Sequence, residues 1–487
     1  MAAPAVFLSS PSLSLFTFPP DREPQPLAPP PSGSSVSAPP FTIPAWLFSA
    51  ALDVKVPILI ASLYAISVSF LNAYNKSSGN KPWRISKTRA FFWFVVAHNV
   101  FLAVYSAWTF VGMLNALKRT VQSPAGPFGL VGTVDSLCKL HGPAGIGNAI
   151  IYSPNSSQWV SESPSKVFLS EMGVPDSMEA GRLWNEGLAF YGWFFYLSKF
   201  YEVLDTVIIL AKGKKSSTLQ TYHHAGAMMC MWAGIRFMSP PIYTFVLLNS
   251  AIHALMYTYY TLTAFSVPIP QVLKRNLTTM QIMQFIFGAS FAAFHLFVSY
   301  TMPVQVLDVK ASTASLASAA STAVSSMAAT ASSAGVAGLL KKFLFRAAGE
   351  EGLAENVNAP SSLHMVTPRL VHSGEQYSIE YQTISCIVTS GQAFAVWLNL
   401  FYLAPLTVLF VRFFIRSYIK RTSGVTTQKS RGAAENAGRD AIKGVERELY
   451  RNGGVNGSGV TGAVVEEEEE GEEKVNSKAN GKMNGKY

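Results

Sequence analysis

Long apolar stretches separated by short polar or basic segments dominate the pattern of this chain. A helix that spans a membrane needs about 20 mostly apolar residues, and seven stretches approach that length. They cover residues 56–74, 90–114, 187–211, 219–237, 241–265, 280–302 and 389–413. Charged and histidine side chains lower the hydropathy of the third and fourth stretches. The pattern predicts an all-α integral membrane protein with seven transmembrane helices.

The segments outside these stretches differ in composition. The predicted domains are a disordered N-terminal segment (1–44), a membrane domain with spans one to six (45–302), a low-complexity lumenal insert (303–388), the seventh span (389–421) and a disordered cytosolic tail (422–487). The N-terminal segment is rich in Pro and Ser and has no sustained apolar periodicity, which is typical of disorder. Residues 311–340 are nearly all small. Because such side chains bury little area, a disordered or loosely helical loop is favoured there over an eighth span.

Basic residues follow every odd-numbered span and set the predicted orientation. They are Lys76, Lys81, Arg84, Lys87 and Arg89 after the first span, Lys212, Lys214 and Lys215 after the third, Lys274 and Arg275 after the fifth, and Arg416, Lys420 and Arg421 after the seventh. Because Lys and Arg accumulate on the cytoplasmic side, the N-terminus is predicted to be lumenal and the C-terminus cytosolic. Lys118 and Arg119 oppose this assignment but are outnumbered.

Two features of the predicted lumenal loops depend on this orientation. Cys138 and Cys386 fall on the same oxidising side, so a disulfide between them is predicted. Asn155-Ser156-Ser157 is a glycosylation sequon in the first long lumenal loop. With Cys230 as the third cysteine, the chain has too few for a disulfide-dense scaffold or a cysteine-rich metal site.

Composition narrows the class of partner. Hydrophobic residues make up 49% of the chain and charged residues 14%, against roughly 25% charged residues in a soluble domain. The chain has 38 basic and 28 acidic residues, a formal charge of +10. Because the basic residues cluster beside apolar runs, anionic lipid or an anionic cofactor explains the charge better than nucleic acid does.

Four polar blocks interrupt the apolar spans and define a candidate active site. The blocks are Lys199–Thr206, Gln220–His224, Asn249–Tyr260 and Thr278–Phe285. Polar groups at membrane depth are expensive, so they usually mark a site. The predicted orientation places all four blocks in the cytosolic half of the membrane, within reach of a water-soluble carrier.

Helical spacing of three or four residues groups these side chains on shared faces. The faces are Lys199, Glu202 and Asp205; Gln220, His223 and His224; and Asn249, His253, Met256 and Tyr260. A neutral imidazole attacks thioesters, so His223 or His224 could carry an acyl group. His253 would be a second base or would orient the first, and the carboxylates would fix imidazole tautomers. Amide donors from Asn249, Gln281 and Gln284 would stabilise a developing oxyanion or enolate. The residues therefore predict acyl transfer.

The same blocks carry a resemblance to a known family. The motifs are Lys199-x-x-Glu202-x-x-Asp205-Thr206, His223-His224, Asn249-x-x-x-His253-x-x-Met256-Tyr257-x-Tyr259-Tyr260 and Thr278-x-x-Gln281-x-x-Gln284. In this order they resemble the ELO family of very-long-chain fatty acid elongases, and Gln220–Met229 is most similar to the fungal branch. The resemblance covers residues 56–302 and the last span.

The resemblance implies an endoplasmic reticulum enzyme with seven spans, six of which form an inverted barrel around an acyl tunnel. Such an enzyme, a very-long-chain 3-oxoacyl-CoA synthase, condenses long-chain acyl-CoA with malonyl-CoA and releases CO2 and CoA. It needs no metal and no cofactor beyond these substrates. Its partners would be the 3-ketoacyl reductase, dehydratase and enoyl reductase of the elongation cycle, and a second copy in a homodimer.

Carried onto this chain, the resemblance gives a set of roles. His223 is the expected nucleophile, and the other expected catalytic residues are His224, His253, Glu202, Asp205 and Lys199. The expected substrate-binding residues are Gln220, Asn249, Tyr257, Tyr260, Gln281, Gln284, Lys274 and Arg275, the last two near the CoA phosphates. The usual His-x-x-His-His box has Gln220 in its first position here. Because an amide cannot exchange a proton as imidazole does, Gln220 is expected to form hydrogen bonds only.

Two other classes of function compete with this interpretation. A membrane di-iron desaturase needs about eight histidine ligands, whereas this chain has 8 His in total and places only three of them in the blocks. A seven-span receptor or transporter would bind without chemistry, but the chain has no second homologous half. A catalytic role for Cys230 is a third alternative, against which its depth in an apolar span predicts a core thiol.

Overall fold

A computed structural model gives the architecture of residues 4–20, 22–34, 39–162, 169–307 and 377–415. The α-helices in these residues are α1 (Ala45–Ala51), α2 (Lys55–Ser77), α3 (Arg89–Thr120), α4 (Gly129–Cys138), α5 (Ala189–Tyr201), α6 (Val203–Ala211), α7 (Thr218–Arg236), α8 (Ile242–Ala264), α9 (Gln271–His295) and α10 (Ser390–Phe414). The strands are β1 (Ala5–Leu8), β2 (Ile150–Ser153), β3 (Gln158–Ser161), β4 (Val298–Leu307) and β5 (Tyr377–Ser385). The fold is therefore mostly helical.

Four helices of the described residues, α2, α3, α9 and α10, are long and apolar enough to cross a membrane. The other predicted spans coincide with α5 and α6, α7, and α8, which contain the polar blocks. Helices α5 and α6 are each shorter than a membrane span because the helix breaks at Glu202, and polar residues lower the hydropathy of α7 and α8. Length and composition therefore do not confirm the predicted count of seven.

Two predicted spans differ from the observed helices. The sixth, expected over 280–302, is α9, which begins at Gln271 after Pro270 and ends at His295. The apolar residues that follow belong to β4, whose alternating side chains suit a strand. The third, expected as one helix over 187–211, is divided at Glu202 into α5 and α6. A π-helical turn, Trp184–Leu188, precedes α5.

Neighbouring helices pack in a definite order around the polar residues. Helix α3 contacts α8, α8 contacts α9, α9 contacts α10, α10 contacts α7, and α7 contacts α5. Helices α5 and α6 also contact α3 and α2, respectively. The described residues show no closed barrel, and the predicted six-helix barrel is not confirmed. The arrangement does bring the polar faces of α5 to α8 together.

At one end of the bundle, a sheet and a disulfide join distant segments. Strand β4 pairs antiparallel with both β1 and β5, in register Ala5 with Thr301 and Ser299 with Ser385. The Cys138–Cys386 disulfide lies beside this sheet, so its prediction is confirmed. We call this the disulfide end. The opposite end, where α2, α6, α8 and α10 finish and α3, α7 and α9 begin, is called the basic end.

The N-terminal segment does not match the predicted disorder. Its β1 strand is part of the sheet, and Glu23 accepts hydrogen bonds from the Gly391 backbone N–H (2.6 Å) and from Ser390 (3.0 Å). The Arg236 guanidinium donates to the Pro24 carbonyl at 2.9 Å. Because helix termini leave backbone groups unpaired, a capping segment gains hydrogen bonds that its Pro-rich sequence does not reveal. The described part of residues 1–44 is therefore packed on the bundle.

A buried charge cluster stabilises the loop at the disulfide end. The Arg182 guanidinium donates to Asp135 at 2.7 Å and to the carbonyls of Pro143 and Gly145, and Asp135 also accepts from Tyr300 at 2.8 Å. His141 lies nearby, with its ring 5.0 Å from the Trp159 ring and 5.4 Å from the Trp184 ring. Burial, and then the neighbouring Arg182 charge, lower the pKa of His141 to about 3.

Several predictions concern residues outside the described ranges. These are the nature of 311–340, most of the 303–388 insert, the 422–487 tail and the basic residues Arg416, Lys420 and Arg421. Within the insert, residues 303–307 and 377–385 belong to β4 and β5, so its two ends pair as antiparallel strands.

Candidate active site

The centre of the site is a buried ion pair on α5. The Lys199 ammonium donates to Glu202 Oε1 at 2.7 Å and to Asn249 Oδ1, on α8, at 3.0 Å. His253 Nδ1 lies 3.5 Å from the same Glu202 oxygen, within ion-pair range but too far for a strong hydrogen bond. All of Lys199, Glu202 and His253 are buried. The first and third sequence blocks therefore meet, as predicted.

A second buried cluster forms around Asp205 on α6. Asp205 Oδ1 lies 2.8 Å from His98 Nε2 on α3, and Tyr257 OH on α8 donates to Asp205 Oδ2 at 2.5 Å. The predicted single face of Lys199, Glu202 and Asp205 is thus divided between two clusters. The division follows from the helix break at Glu202, which separates α5 from α6. Glu202 faces His253, and Asp205 faces His98.

The second block, on α7, contacts three other helices. His223 Nδ1 lies 2.7 Å from the hydroxyl of Tyr402 on α10. The ring of His224 lies 5.5 Å from that of His223 and 6.1 Å from that of Tyr64 on α2, measured between centroids. Gln220 Nε2 donates to Thr206 Oγ1 at 3.2 Å, so Gln220 forms a hydrogen bond, as expected.

A mostly apolar cavity lies between α5, α7, α8, α9 and α10. Its lining residues include Phe195, Met231, Thr244, Phe245, Phe285, Gly288 and Leu403, together with polar Lys199, His223, Asn249, Gln284, Asn399 and Tyr402. Apolar side chains with a few polar groups are the lining expected for a ligand that has an apolar chain and one reactive end. The Oε1 atom of Gln284 is buried there and has no hydrogen-bond partner among the described residues.

The three site histidines do not share this cavity. His223 is on its wall, whereas His224 and His253 are absent from the lining. His253 lies beside Glu202, which in turn accepts a hydrogen bond from Lys199 on the cavity wall. The expectation that all three imidazoles surround one cavity is therefore wrong for the described structure. The reason is the helical rotation of 100° per residue, which turns His224 away from His223 toward Tyr64.

The remaining predicted residues lie farther from His223. Gln281 Nε2 contacts Met256 Sδ at 3.3 Å, and the Tyr260 ring packs on Tyr257 at 5.9 Å. Lys274 lies over the Tyr259 ring at 6.0 Å, and Arg275 is exposed. None of these side chains lines the cavity. Lys274 and Arg275 lie in the first turn of α9, roughly 15 Å along the helix axis from Gln284.

The site residues of α8 and α9 lie nearer the middle of these helices than predicted. His253 is at the middle of α8, and Gln281 and Gln284 are at the middle of α9. For Gln281 and Gln284, the difference arises because the sixth span was expected to start at residue 280, whereas α9 starts at Gln271. His223 is closer to the basic end, where α7 begins, than to the disulfide end.

Sequence reasoning missed two partners of the predicted residues. His98, which lies outside the four blocks, pairs with Asp205. Tyr402 was not singled out, although Asn399 and Tyr402 form a short polar face in the last apolar span. That polar face was the sequence feature that could have indicated Tyr402. Cys230, in contrast, is buried and absent from the cavity lining.

Within the described ranges, no group of three or more His, Cys, Asp or Glu side chains is placed to hold a metal ion. The site chemistry available there comes from imidazole, ammonium, carboxylate, amide and phenol groups.

The fold and site define a multi-pass, mostly helical membrane protein with a buried histidine and carboxylate site. The chain belongs to the ELO family: the GNS1/SUR4 family profile matches residues 49–426 of its 487. The family assignment made from the polar blocks is confirmed.

Curated relatives are named as fatty acid elongases. Human very long chain fatty acid elongase 3 is 36% identical over 105 residues, which are 22% of this chain and 39% of that protein. Human very long chain fatty acid elongase 4 is 37% identical over 116 residues, 23% of this chain and 37% of that protein. Fatty acid elongase 2 of Trypanosoma brucei brucei is 30% identical over 123 residues, 25% of this chain and 45% of that protein. The chain thus matches less than half the length of each relative, and the likeness to a fungal branch stays a prediction.

Proposed function

We propose that this protein is a very-long-chain 3-oxoacyl-CoA synthase, which condenses long-chain acyl-CoA with malonyl-CoA in fatty acid elongation. The observation that carries the proposal is the position of His223. Its imidazole is on the wall of an apolar cavity that the buried Lys199 ammonium and the Asn249 amide also line. The family and the printed names of the relatives support the same reaction.

In the first step, His223 attacks the acyl-CoA thioester. A C–N bond forms, the C–S bond breaks, and CoA leaves as its thiol, with the proton supplied by the imidazole. The apolar wall formed by Phe195, Met231 and Phe245 would hold the hydrocarbon. The product of this step is an acyl-imidazole, which is reactive enough to pass its acyl group onward.

In the second step, malonyl-CoA loses CO2 and becomes an enolate. The enolate carbon attacks the acyl carbonyl, a C–C bond forms, and the C–N bond to His223 breaks, which yields 3-oxoacyl-CoA. The departing imidazole takes up one proton from solvent and returns to its neutral form. Negative charge on oxygen needs donors, and two are placed on the wall. Lys199 carries an ammonium. Asn249 Oδ1 already accepts from Lys199, which leaves its Nδ2 amide as the donor.

The buried carboxylates and the other imidazoles have supporting roles in this scheme. Glu202 holds Lys199 in place and faces His253, which would move a proton during CoA release. Asp205 ties α6 to α3 and α8 through His98 and Tyr257, and so fixes the distance between the blocks. His224 would complete the imidazole group beside His223.

The remaining predicted residues are proposed to bind the substrates. Gln220 anchors α7 to α6 through Thr206. Tyr260, Gln281 and Gln284 would line the route from the basic end to the cavity. Lys274 and Arg275, at the basic end, would attract the CoA phosphates before the acyl chain enters.

The proposed membrane placement is seven spans in the endoplasmic reticulum, with the N-terminus lumenal and the C-terminus cytosolic. The disulfide supports a lumenal position for its end of the bundle, because oxidising compartments maintain disulfides. The basic residues at the other end support a cytosolic position there. The order of helix neighbours, α3, α8, α9, α10, α7 and α5, would provide the six helices of the barrel around the acyl chain.

The proposed reaction needs acyl-CoA and malonyl-CoA and no metal or other cofactor. Its product carries a 3-oxo group, so the proposed partners are the 3-ketoacyl reductase, dehydratase and enoyl reductase of the cycle. A homodimer is a further proposal. No nucleic acid partner is proposed.

The proposal is tested with purified protein in detergent. After incubation with acyl-CoA and no malonyl-CoA, peptide mass analysis is expected to find the acyl group on His223. The His223→Ala variant should lose both the adduct and condensation. His295→Gln is the matched control, because His295 is also buried but bonds the Phe291 carbonyl of its own helix at 2.7 Å. Condensation by His223→Ala at the wild-type rate would refute the proposed mechanism.

A further inference from the structure

The Tyr402 hydroxyl makes two contacts with the same residue of α7. It lies 2.7 Å from His223 Nδ1 and donates to the His223 backbone carbonyl at 3.0 Å. Tyr402 is buried and lines the cavity together with His223. The phenol of α10 therefore reaches the imidazole from the side of the ring that bears Nδ1.

These two contacts favour one neutral tautomer of His223. A phenol has one hydrogen, and the His223 carbonyl oxygen, 3.0 Å from the hydroxyl, can only accept it. The phenol oxygen is then an acceptor for Nδ1–H, which leaves the lone pair on Nε2. In the other tautomer the hydroxyl would donate to Nδ1, and two oxygens 3.0 Å apart would have no hydrogen between them.

The backbone of α7 makes room for this phenol ring. A Cβ at Gly226 would lie 2.3 Å from Tyr402 Cδ2 and Cε2, a distance that real contacts do not reach. Gly226 thus allows the ring to lie against α7, one helical turn from His223. The Tyr222 ring packs on the other part of Tyr402, 5.7 Å between centroids. The position of Tyr402 is fixed from several sides.

We propose that Tyr402 is a positioning residue that holds His223 in the Nδ1–H tautomer and presents Nε2 as the nucleophilic nitrogen. This inference rests on the proposed acyl transfer through His223. Tyr402 itself exchanges no bond with the substrate. It accepts a hydrogen bond from Nδ1–H while Nε2 attacks the thioester, in the way that a carboxylate or carbonyl fixes the tautomer of other catalytic histidines.

The main test is Tyr402→Phe, which removes the hydroxyl and keeps the ring. The rate of adduct formation on His223, measured by mass analysis of single-turnover samples, should fall about tenfold, equivalent to about 1.4 kcal/mol. The kcat should fall with it, whereas the KM for acyl-CoA should change less than twofold. Tyr222→Phe is the matched control, because it also loses one hydroxyl, which donates to the Tyr402 carbonyl at 3.2 Å.

Gly226→Ala provides a second test should Tyr402→Phe fold poorly. It moves the Tyr402 ring without removing any polar group and should lower the adduct rate by a similar factor, again with little change in KM. Equal adduct rates in wild type and both variants would overturn the inference while leaving the acyl transfer intact. An equal loss in Tyr222→Phe would also overturn it, because packing would then explain the effect. A wild-type adduct on another residue would refute the proposed function itself.

Discussion

The buried pair of Lys199 and Glu202 gives the sharpest prediction for stability. Their side chains are 4% and 3% exposed, and the charged atoms are 2.7 Å apart. Lys199→Met keeps the length of the side chain and removes the cation. In this variant Glu202 still accepts a hydrogen bond from Ser198 Oγ at 3.3 Å, but no lysine or arginine lies beside its carboxylate. Breaking a buried pair in this way costs about 3–5 kcal/mol, because one charge stays buried without compensation.

The two single variants should lose different amounts of folding stability. After Glu202→Gln, Lys199 still donates to Asn249 at 3.0 Å and lies 4.2 Å from the centre of the Phe195 ring. We expect a loss of about 1–3 kcal/mol for this variant. The double variant Lys199→Met/Glu202→Gln leaves no buried charge, so it should be no less stable than Lys199→Met alone. The coupling energy between the two sites is then at least about 1–3 kcal/mol in favour of the double variant.

The measurement is thermal unfolding of the four proteins in one detergent at pH 7. Taking about 2 °C per kcal/mol, Lys199→Met should melt roughly 6–10 °C below wild type. Lys118→Met, on the exposed side of α3, is the control and should shift little. Strictly additive losses in the double variant would refute the argument, because they would mean that no uncompensated charge had been created.

Three further predictions concern the cavity, the loop and the orientation. Phe245→Ala should shift the preferred acyl-CoA toward a chain two carbons longer by roughly tenfold in kcat/KM, at about 0.8 kcal/mol per buried CH₂, whereas the outward-facing Phe287→Ala should not. Because the pKa of His141 is lowered from 6.5 to about 3, the unfolded state binds more protons below pH 6.5. Stability should therefore fall by about 2 kcal/mol between pH 7 and pH 5, and denaturant melts of His141→Phe should lose that slope. If the hairpin turn after β2 is lumenal, exposed Asn155 should carry a glycan that glycosidase treatment of membranes removes. Asn155→Gln should lack it and Ser157→Thr should keep it, and an unshifted wild-type band would contradict the orientation.

Apolar runs predicted most helices to within a few residues because burial in lipid or protein requires them. Helix α10 was expected over 389–413 and spans Ser390–Phe414. The error at α9 has a physical cause: hydropathy does not distinguish the end of a helix from a buried strand, and β4 is both apolar and β-branched. The N-terminal segment was missed because backbone capping leaves little trace in composition.

The candidate site residues and their roles stay a prediction, whereas their pairing differs from the one that the spacing indicated. Spacing of three residues placed Lys199, Glu202 and Asp205 on one face, which is correct only for the first two. The break at Glu202 turns Asp205 toward His98. Periodicity within one helix cannot show which neighbouring helix a side chain meets, so the partners on α3 and α10 were accessible only from the packed structure.

The polar side chains of α5 to α8 form the site and also connect these helices to their neighbours. Several of them have a partner on a different helix: Lys199 meets Asn249, Asp205 meets His98 and Tyr257, and His223 meets Tyr402. In an apolar environment an unpaired polar group is costly, so each pair also holds its helices together in the bundle. The side chains proposed for chemistry therefore also join the helices, and substitutions that preserve shape and hydrogen bonding are the ones that can separate the two roles.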